Sequence, residues 1–123
     1  MGGQVDYTLQ RRAVLSEFRR GLRSRPDICD AHPELMRAAR YVGAETGREC
    51  PVCDRRNLRV VAYVYGDDLR RHKANGRCIT TDEELAALGE KVDEFTCYEV
   101  EVCPDCSWNH LFRSYLLGRR HAG

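Results

Sequence analysis

The spacing of apolar residues over the first 49 positions is typical of helices. Between residues 9 and 22, apolar side chains recur on one face and arginines occupy the opposite face, which predicts an amphipathic helix. The apolar face consists of Leu9, Val14, Leu15, Phe18 and Leu22. The basic face consists of Arg11, Arg12, Arg19 and Arg20. A second helix is predicted over residues 31–42, with Asp30 as its N-cap and Pro33 in its first turn.

Two later stretches have the composition of β-strands. Residues 58–65 and 95–102 are rich in Val and Tyr, which favour strands. Between them, Thr81 and Glu84 have the spacing of a capping box, which predicts a short helix starting near Asp82. Over residues 108–116 apolar side chains repeat at helical spacing. We therefore predict a short C-terminal helix there, with a third strand as the alternative.

The composition fits one globular domain. The chain has 123 residues, of which 42% are hydrophobic and 32% charged, so it can bury a modest core. No apolar run approaches the roughly 18 residues that a transmembrane helix needs, so no membrane association is predicted. The first residues lack the apolar segment of a secretory signal, which predicts a cytoplasmic location.

Seven cysteines form the most informative pattern in the chain. Four of them stand in two Cys-Pro-x-Cys pairs, Cys50 with Cys53 and Cys103 with Cys106. Two intervening residues let both sulfurs of one tight turn reach a single ion, and Zn²⁺ accepts four thiolates in tetrahedral geometry. We therefore predict one structural Zn²⁺ bound by these four residues. Disulfides rarely persist in the cytosol, which also favours a metal.

Three alternatives to zinc remain open for the four cysteines. Iron uses the same ligand set, and a dithiol redox centre or four ordinary buried thiols would also place cysteines in pairs. The helix context of thioredoxin-type motifs is missing here, which disfavours the redox centre. Two features depart from the simplest zinc pattern. The gap between the pairs holds 49 residues, and Asp54 and Ser107 stand where many such turns have Gly.

The remaining cysteines, Cys29, Cys78 and Cys97, have no assigned role and are interpreted as buried or half-buried thiols. A catalytic pair of Cys78 with His72 is conceivable but lacks a residue to orient the base. His110 lies four residues after Cys106 and is interpreted as a polar residue of the last helix rather than a ligand.

The predicted fold is α+β: a small antiparallel zinc ribbon of two or three strands, two N-terminal helices, an inserted short helix and a short C-terminal helix. It is predicted to be a single domain over residues 1–123. Residues 1–47 form its helical part, and residues 48–123 form its ribbon-like part. The core candidates are Phe18, Leu35, Tyr63, Val100, Trp108 and Phe112.

Several segments together resemble a known family. They are the stretch 27–35 (DICDAHPEL), the first Cys pair, the stretch 63–67 (YVYGD) and the stretch 100–111 (VEVCPDCSWNHL). In combination they resemble a small actinobacterial family classed as a domain of unknown function. The resemblance covers nearly the whole chain. It implies a mycobacterial or related source and a zinc-ribbon-like core, and it implies no activity.

The net charge of +1 hides a strong segregation of charge. Six arginines and one glutamate lie between residues 11 and 25, and seven basic residues and three acids lie between residues 54 and 77. Nine acids and one lysine follow between residues 78 and 106. The basic stretches predict contacts with nucleic-acid phosphates or an acidic protein surface. The alternative is that the acidic stretch neutralises them within the domain.

These observations favour a non-enzymatic zinc-binding module that docks on RNA polymerase, the ribosome or nucleic acid. The candidate partner-binding residues are Arg11, Arg12, Arg19, Arg20, Arg70 and Arg71. A second hypothesis is an adaptor whose helical N-terminal half binds another protein through Leu9, Val14, Phe18 and Leu22. A redox or metal-dependent enzyme ranks last, because four thiolates leave no open coordination position. No small-molecule substrate is implied.

Overall fold

The computed structural model of the protein describes residues 3–121 as helices combined with an antiparallel sheet. Within this range the helices are α1 (Thr8–Arg19), α2 (Arg25–Ile28), α3 (Pro33–Val42), α4 (Asp67–Arg70) and α5 (Asp82–Lys91), followed by a 3₁₀ turn at Arg119–His121. The strands are β1 (Gln4–Asp6), β2 (Ala44–Glu49), β3 (Asn57–Tyr65), β4 (Cys78–Ile79), β5 (Phe95–Val102) and β6 (Asn109–Leu117). Their order in the sheet is β1-β6-β5-β3-β2, and β4 pairs with β3.

The chain divides into two compact units. Of the described residues, the first contains those from 3 to 6, Ala62–Glu99 and those from 113 to 121. The second contains Tyr7–Val61 and Val100–Phe112. Strands β3, β5 and β6 therefore contribute residues to both units. No helix between residues 3 and 121 is long and apolar enough to cross a membrane.

The first unit has its own apolar cluster around α5. The buried members are Val64, Leu69, Ala74, Ile79, Leu88, Val92, Phe95 and Cys97. Helix α5 starts at Asp82, as predicted, because the Thr81 hydroxyl accepts a 3.1 Å hydrogen bond from the Glu84 amide. Leu85 and Leu88 on its apolar face then pack into the cluster.

The second unit is built around the two predicted Cys pairs. Its buried cluster consists of Leu15, Ile28, Cys50, Leu58, Cys103 and Trp108. Helix α1 forms close to its predicted position and buries Leu15 against this cluster, with Val14 and Phe18 beside it. Helix α3 is also close to its predicted position, but its N-cap is His32 and not Asp30. The Nδ1 atom of His32 accepts a 3.1 Å hydrogen bond from the Glu34 amide.

The prediction of a C-terminal helix is wrong. The segment forms β6, which pairs with β1 and lies next to β5, so its backbone groups are satisfied on both sides. All but one of its side chains are half-buried, so both faces of the strand are partly covered. A segment covered on both faces does not alternate cleanly, and its apolar residues then resemble a helical repeat.

The sheet is larger than the predicted two or three strands, since six strands are present between residues 3 and 121. The additional N-terminal strands β1 and β2 are polar and almost entirely exposed, so hydrophobic alternation gave no indication of them. Of the predicted core residues, Trp108 is fully buried. The others are half-buried: Phe18, Leu35, Tyr63, Val100 and Phe112.

Candidate metal centre

Each Cys pair lies in a turn that connects two neighbouring strands. Cys50 directly follows β2, and the turn of residues 50–56, here called the first knuckle, leads into β3. Cys103 directly follows β5, and the turn of residues 103–108, the second knuckle, leads into β6. The two turns have matching hydrogen bonds: the Asp54 amide donates to the Cys50 carbonyl, and the Ser107 amide donates to the Cys103 carbonyl, each over 3.2 Å.

The four sulfurs predicted to be ligands lie together. Their Sγ atoms are all within 4.8 Å of one another. The Sγ atoms of Cys50 and Cys106 are 3.6 Å apart, as are those of Cys53 and Cys103. A tetrahedral ion with metal–sulfur bonds of about 2.3 Å requires sulfurs about 3.8 Å apart. The four cysteines could therefore hold one metal ion.

Backbone amides in both knuckles point at sulfur. The amides of Val52 and Cys53 lie 3.4 and 3.5 Å from the Cys50 sulfur, and the Cys106 amide lies 3.4 Å from the Cys103 sulfur. These contacts partly offset negative charge on a thiolate. They also account for the residues that replace Gly. Asp54 and Ser107 adopt the left-handed conformation, with φ of 58° and 74°, so each turn closes without a glycine.

The four thiols differ in burial and in pKa. Cys50 and Cys103 are fully buried, whereas Cys53 and Cys106 are half-buried. Burial raises the pKa of Cys50, Cys103 and Cys106 above its ordinary value. Burial also acts to raise the pKa of Cys53, but hydrogen bonds from the Arg55 amide and the neighbouring thiols outweigh it and lower that pKa to about 7.

Four thiolates at this spacing need a cation between them. Two unit charges 3.6 Å apart repel by about 5 kcal/mol at an effective dielectric constant of about 20. A metal ion removes this repulsion, and soft sulfur donors favour zinc, iron or copper(I) over magnesium or calcium. The donor set therefore fits a thiolate-bound transition metal.

The segment between α2 and α3 is attached to the second knuckle. The Ala31 amide donates a 3.1 Å hydrogen bond to the Ser107 carbonyl, and the Asn109 side chain donates a 2.9 Å hydrogen bond to Asp30. Arg40 of α3 donates to the Pro104 carbonyl over 3.1 Å. The helical N-terminal part thus packs directly on the candidate metal centre.

A family model described as a family of unknown function, DUF5318, matches residues 2–123. The chain belongs to this family. The uncharacterized protein Rv0049 of Mycobacterium tuberculosis is 42% identical over 114 residues, which cover 93% of this chain and 81% of that protein. The uncharacterized protein Mb0050 of Mycobacterium bovis matches with the same values. No solved structure matches the chain significantly. The family resemblance predicted from the sequence is confirmed.

A buried carboxylate lies next to the candidate metal centre of this DUF5318 chain in the sequence, and its burial was not predicted. Glu101 is fully buried two residues before Cys103, and its Oε2 accepts hydrogen bonds from Trp108 Nε1 and Arg11 Nε. Arg48 Nη1 lies 3.6 Å from the Oε1 atom. In the sequence Glu101 is only one of the nine acids between residues 78 and 106, and an acidic residue in a predicted strand gives no signal of burial.

The predicted partner-binding arginines differ in availability. Arg11 is occupied by Glu101 and only 23% of its side chain is exposed, so it does not offer a free guanidinium. Arg12, Arg19 and Arg20 are exposed on α1 or just after it. In the other unit, Arg70 and Arg71 are exposed, and Arg70 Nε lies 3.6 Å from Asp67.

A basic surface lies beside the knuckles and includes part of the predicted basic stretch of residues 54–77. Two clefts of about 250 and 280 Å³ are both lined by Arg56, Arg59 and Pro104, and the first also by Arg40. Two of the guanidiniums are held in place, since Arg40 donates to the Pro104 carbonyl and Arg59 donates to the Gly43 carbonyl. Arg56 and Arg59 belong to the basic stretch of residues 54–77, whereas Arg40 lies outside it, so nothing in the sequence indicated that the three share one surface.

The remaining candidates lie outside the four-sulfur cluster. Cys97 is buried in the first unit, and Cys78 is half-buried in β4. His110 lies on β6 and stacks on Trp108 with a centroid distance of 5.9 Å. Its Nδ1 atom is 2.7 Å from the Leu111 carbonyl oxygen. Cys29, in contrast, contacts the cluster, with its Sγ 3.7 Å from that of Cys106.

Proposed function

We propose that this protein is a non-enzymatic zinc-binding interaction module. One structural Zn²⁺ bound by Cys50, Cys53, Cys103 and Cys106 would join the two knuckles into a zinc-ribbon-like core. The observation that carries this proposal is the burial of the four-sulfur cluster: Cys50 and Cys103 are fully buried beside Leu58 and Trp108. A catalytic zinc keeps an open coordination position, and four thiolates leave none.

Charge compensation around the cluster favours a stable Zn²⁺ complex. Four thiolates and one Zn²⁺ carry a formal charge of −2. Amide groups of both knuckles, which lie 3.4 Å from the sulfurs of Cys50 and Cys103, reduce the cost of burying this charge. Zn²⁺ also has no redox chemistry, and structural zinc sites are tetrahedral, which matches four sulfur ligands.

Two basic surfaces of the same unit support a partner with phosphate groups. Arg12, Arg19 and Arg20 are exposed along α1, and Arg40, Arg56 and Arg59 line the clefts beside the knuckles. Guanidiniums that are already fixed by backbone carbonyls lose little side-chain entropy when they bind a phosphate. We therefore propose that the module docks on nucleic acid, alone or within the transcription or translation machinery.

A second candidate function is an adaptor for another protein. Leu9 of α1 and Leu22 just after it are 74% and 64% exposed, which favours an apolar contact at either end of the helix. Val14 and Phe18, proposed for the same contact, instead pack against the core of their own unit. The apolar surface is therefore smaller than the adaptor hypothesis expects.

Metal content of protein purified without added metal tests the zinc proposal. Native mass spectrometry and elemental analysis should find one zinc per chain. Zinc should be lost in Cys50→Ser and Cys106→Ser and retained in the control Cys78→Ser, whose thiol lies outside the cluster. Iron at the same stoichiometry would overturn zinc but keep the metal centre. A folded, metal-free protein would overturn the metal centre itself.

Charge reversal tests docking on nucleic acid. Affinity for a fluorescent single-stranded RNA and for a DNA duplex is measured at several salt concentrations. The variants Arg12→Glu/Arg19→Glu/Arg20→Glu and Arg40→Glu/Arg56→Glu should weaken binding and reduce its salt dependence. The matched variant Arg70→Glu/Arg71→Glu shows whether the other unit contributes to the affinity for RNA or DNA. Unchanged affinity in all three variants would contradict the proposal, and salt-insensitive binding of a protein would favour the adaptor.

A further inference from the structure

Cys29 places a fifth thiol against the metal centre. Its Sγ lies 3.7 Å from the Cys106 sulfur, to which it donates a hydrogen bond. It does not belong to the group of four sulfurs that are all within 4.8 Å of one another, so it is a neighbour of one ligand rather than a fifth ligand. Cys29 is half-buried, whereas Cys50 and Cys103 of the cluster are fully buried.

The position of Cys29 is fixed by the fold. Helix α2 ends at the preceding residue, and a capping box formed by Ser24 and Asp27 defines its start. Directly after Cys29, the contacts of Asp30 with Asn109 and of Ala31 with Ser107 hold the chain on the second knuckle. Anchors on both sides therefore keep the two sulfurs next to each other.

A positive charge accompanies this pair of sulfurs. Desolvation acts to lower the pKa of the Arg25 guanidinium, but interactions with Cys29 and Cys106 outweigh it and raise this pKa above its ordinary value. Arg25 is the first residue of α2, and Cys29 directly follows the end of this helix, so the two residues lie close together in sequence.

We propose that Cys29 and Cys106 form an oxidation site in which a peroxide converts the two thiols into a disulfide and removes one ligand from the metal centre. The predicted loss of metal rests on the proposed metal site. Formation of the disulfide itself does not require the metal. Among the five clustered thiols, Cys29 is the one that a bound metal would leave uncoordinated. It is therefore the thiol that reacts first.

The chemistry balances with hydrogen peroxide as the oxidant. The Cys29 thiolate attacks one peroxide oxygen, the O–O bond breaks, and Cys29 becomes a sulfenic acid while hydroxide leaves and is protonated to water. The Cys106 thiolate then attacks the Cys29 sulfur and displaces hydroxide. One S–S bond is formed, two thiols are oxidised, and one peroxide is reduced to two waters. Only Cys50, Cys53 and Cys103 would then be left to hold a metal ion, and the site would bind it more weakly.

The experiment adds hydrogen peroxide to metal-loaded protein and follows metal release with a chromogenic chelator. Wild-type protein should release its metal and form the disulfide. Cys29→Ser keeps the four ligands and should release metal at least about tenfold more slowly. Cys78→Ser, which removes a half-buried thiol outside the cluster, should behave like wild type. A thiol reductant plus added metal should restore the wild-type centre.

Peptide mapping identifies the bond. Cleavage before aspartate separates Cys103 from Cys106 at Asp105 and Cys29 from the following chain at Asp30. A Cys29–Cys106 cross-linked peptide supports the proposal. A Cys50–Cys53 or Cys103–Cys106 disulfide, or metal release by Cys29→Ser at the wild-type rate, overturns it. Metal content before oxidation is measured separately, so a metal-free protein refutes the zinc proposal while the mapped bond still decides the oxidation site.

Discussion

The indole N–H of Trp108 donates a 2.8 Å hydrogen bond to the Oε2 atom of Glu101, and both residues are fully buried. The same oxygen accepts a 2.9 Å hydrogen bond from Arg11 Nε of α1. Arg48 Nη1 lies 3.6 Å from the other oxygen and its guanidinium stacks on the Phe112 ring at 4.8 Å. One carboxylate thus connects α1 with β5 and with the second knuckle, directly beside the sulfur cluster.

Replacing Glu101 with glutamine should destabilise the protein by about 2–4 kcal/mol. The amide keeps the shape but removes the negative charge, and it leaves two arginines without their buried partner. The free energy of unfolding can be measured in urea by the fluorescence of Trp108, the only tryptophan in the chain. That fluorophore contacts the substituted position, so circular dichroism should be recorded as an independent signal.

Glu99→Gln is the matched control for this variant. Glu99 lies two positions earlier on the same strand and pairs with Arg113, but 21% of its side chain and 38% of that of Arg113 are exposed. A pair screened by water contributes little, so the loss should stay below about 1 kcal/mol. Equal losses for the two variants would show that burial of Glu101 does not strengthen its ion pairs.

Removal of the metal should loosen the core around Trp108. The indole packs in the same buried cluster as Cys50, Cys103 and Leu58, so this core depends on the sulfurs remaining together. Without a cation, four adjacent thiols must hold protons or repel one another, and metal-binding energy is folding energy in such sites. A chelator should therefore shift Trp108 emission to longer wavelength and lower the melting temperature.

Readdition of zinc to the chelated protein should reverse both changes. The Cys78→Ser variant should show the same response as wild type, because its sulfur is not part of the cluster. A chelator that removes metal and leaves emission and melting temperature unchanged would contradict a structural role for the ion.

The parts of the fold that could be predicted are those marked by the composition or spacing of neighbouring residues in the sequence. Strand β5 forms over Phe95–Val102, as its composition predicted, and the Cys pairs lie in turns because their spacing requires one. Strand β6 was only the alternative to a predicted helix, since its helix-like repeat is overridden by pairing with a strand more than a hundred residues earlier. The contacts of Cys29 with Cys106 and of Arg11 with Glu101 also join distant positions. Such contacts depend on tertiary structure and leave no local pattern.

Cys97 should react with an alkylating reagent far more slowly in the folded than in the unfolded protein. Burial, with a smaller contribution from the charge of Glu99, raises the pKa of Cys97 from 9.0 to about 11. The thiolate is the reactive form, so at pH 8 its fraction falls about 100-fold even before access is considered. Because the pKa is raised, the reaction of folded protein should accelerate with rising pH up to about pH 11.

The measurement is the rate of iodoacetamide labelling at Cys97, read by mass spectrometry between pH 7 and pH 10 with and without urea. Cys78 in the same samples is the internal comparison, since burial also raises its pKa but the residue is half-buried. Labelling of Cys97 in folded protein as fast as in urea would show that its burial is transient.

Substituting alanine for glycine should change the free energy of unfolding in opposite directions at two positions of the first unit. Gly118 has a φ of 120°, and a Cβ there would lie 2.4 Å from the Asp93 carbonyl oxygen. The amides of Arg119 and Arg120 donate to the carbonyls of Val92 and Asp93, so the turn cannot move away without losing these hydrogen bonds. Gly118→Ala should therefore lower the free energy of unfolding by at least about 2 kcal/mol.

Gly89 lies inside helix α5, and a Cβ there would meet no atom within 4 Å. Alanine has a higher helix propensity than glycine, so Gly89→Ala should raise the free energy of unfolding by about 0.5–1 kcal/mol. Urea titrations of both variants compare the same chemical change in two environments. A loss at Gly89 would mean that α5 is less regular than described, and a gain at Gly118 would mean that the turn after β6 does not require a left-handed residue. Opposite signs would show that backbone conformation and close contact, rather than the added methyl group itself, decide the outcome.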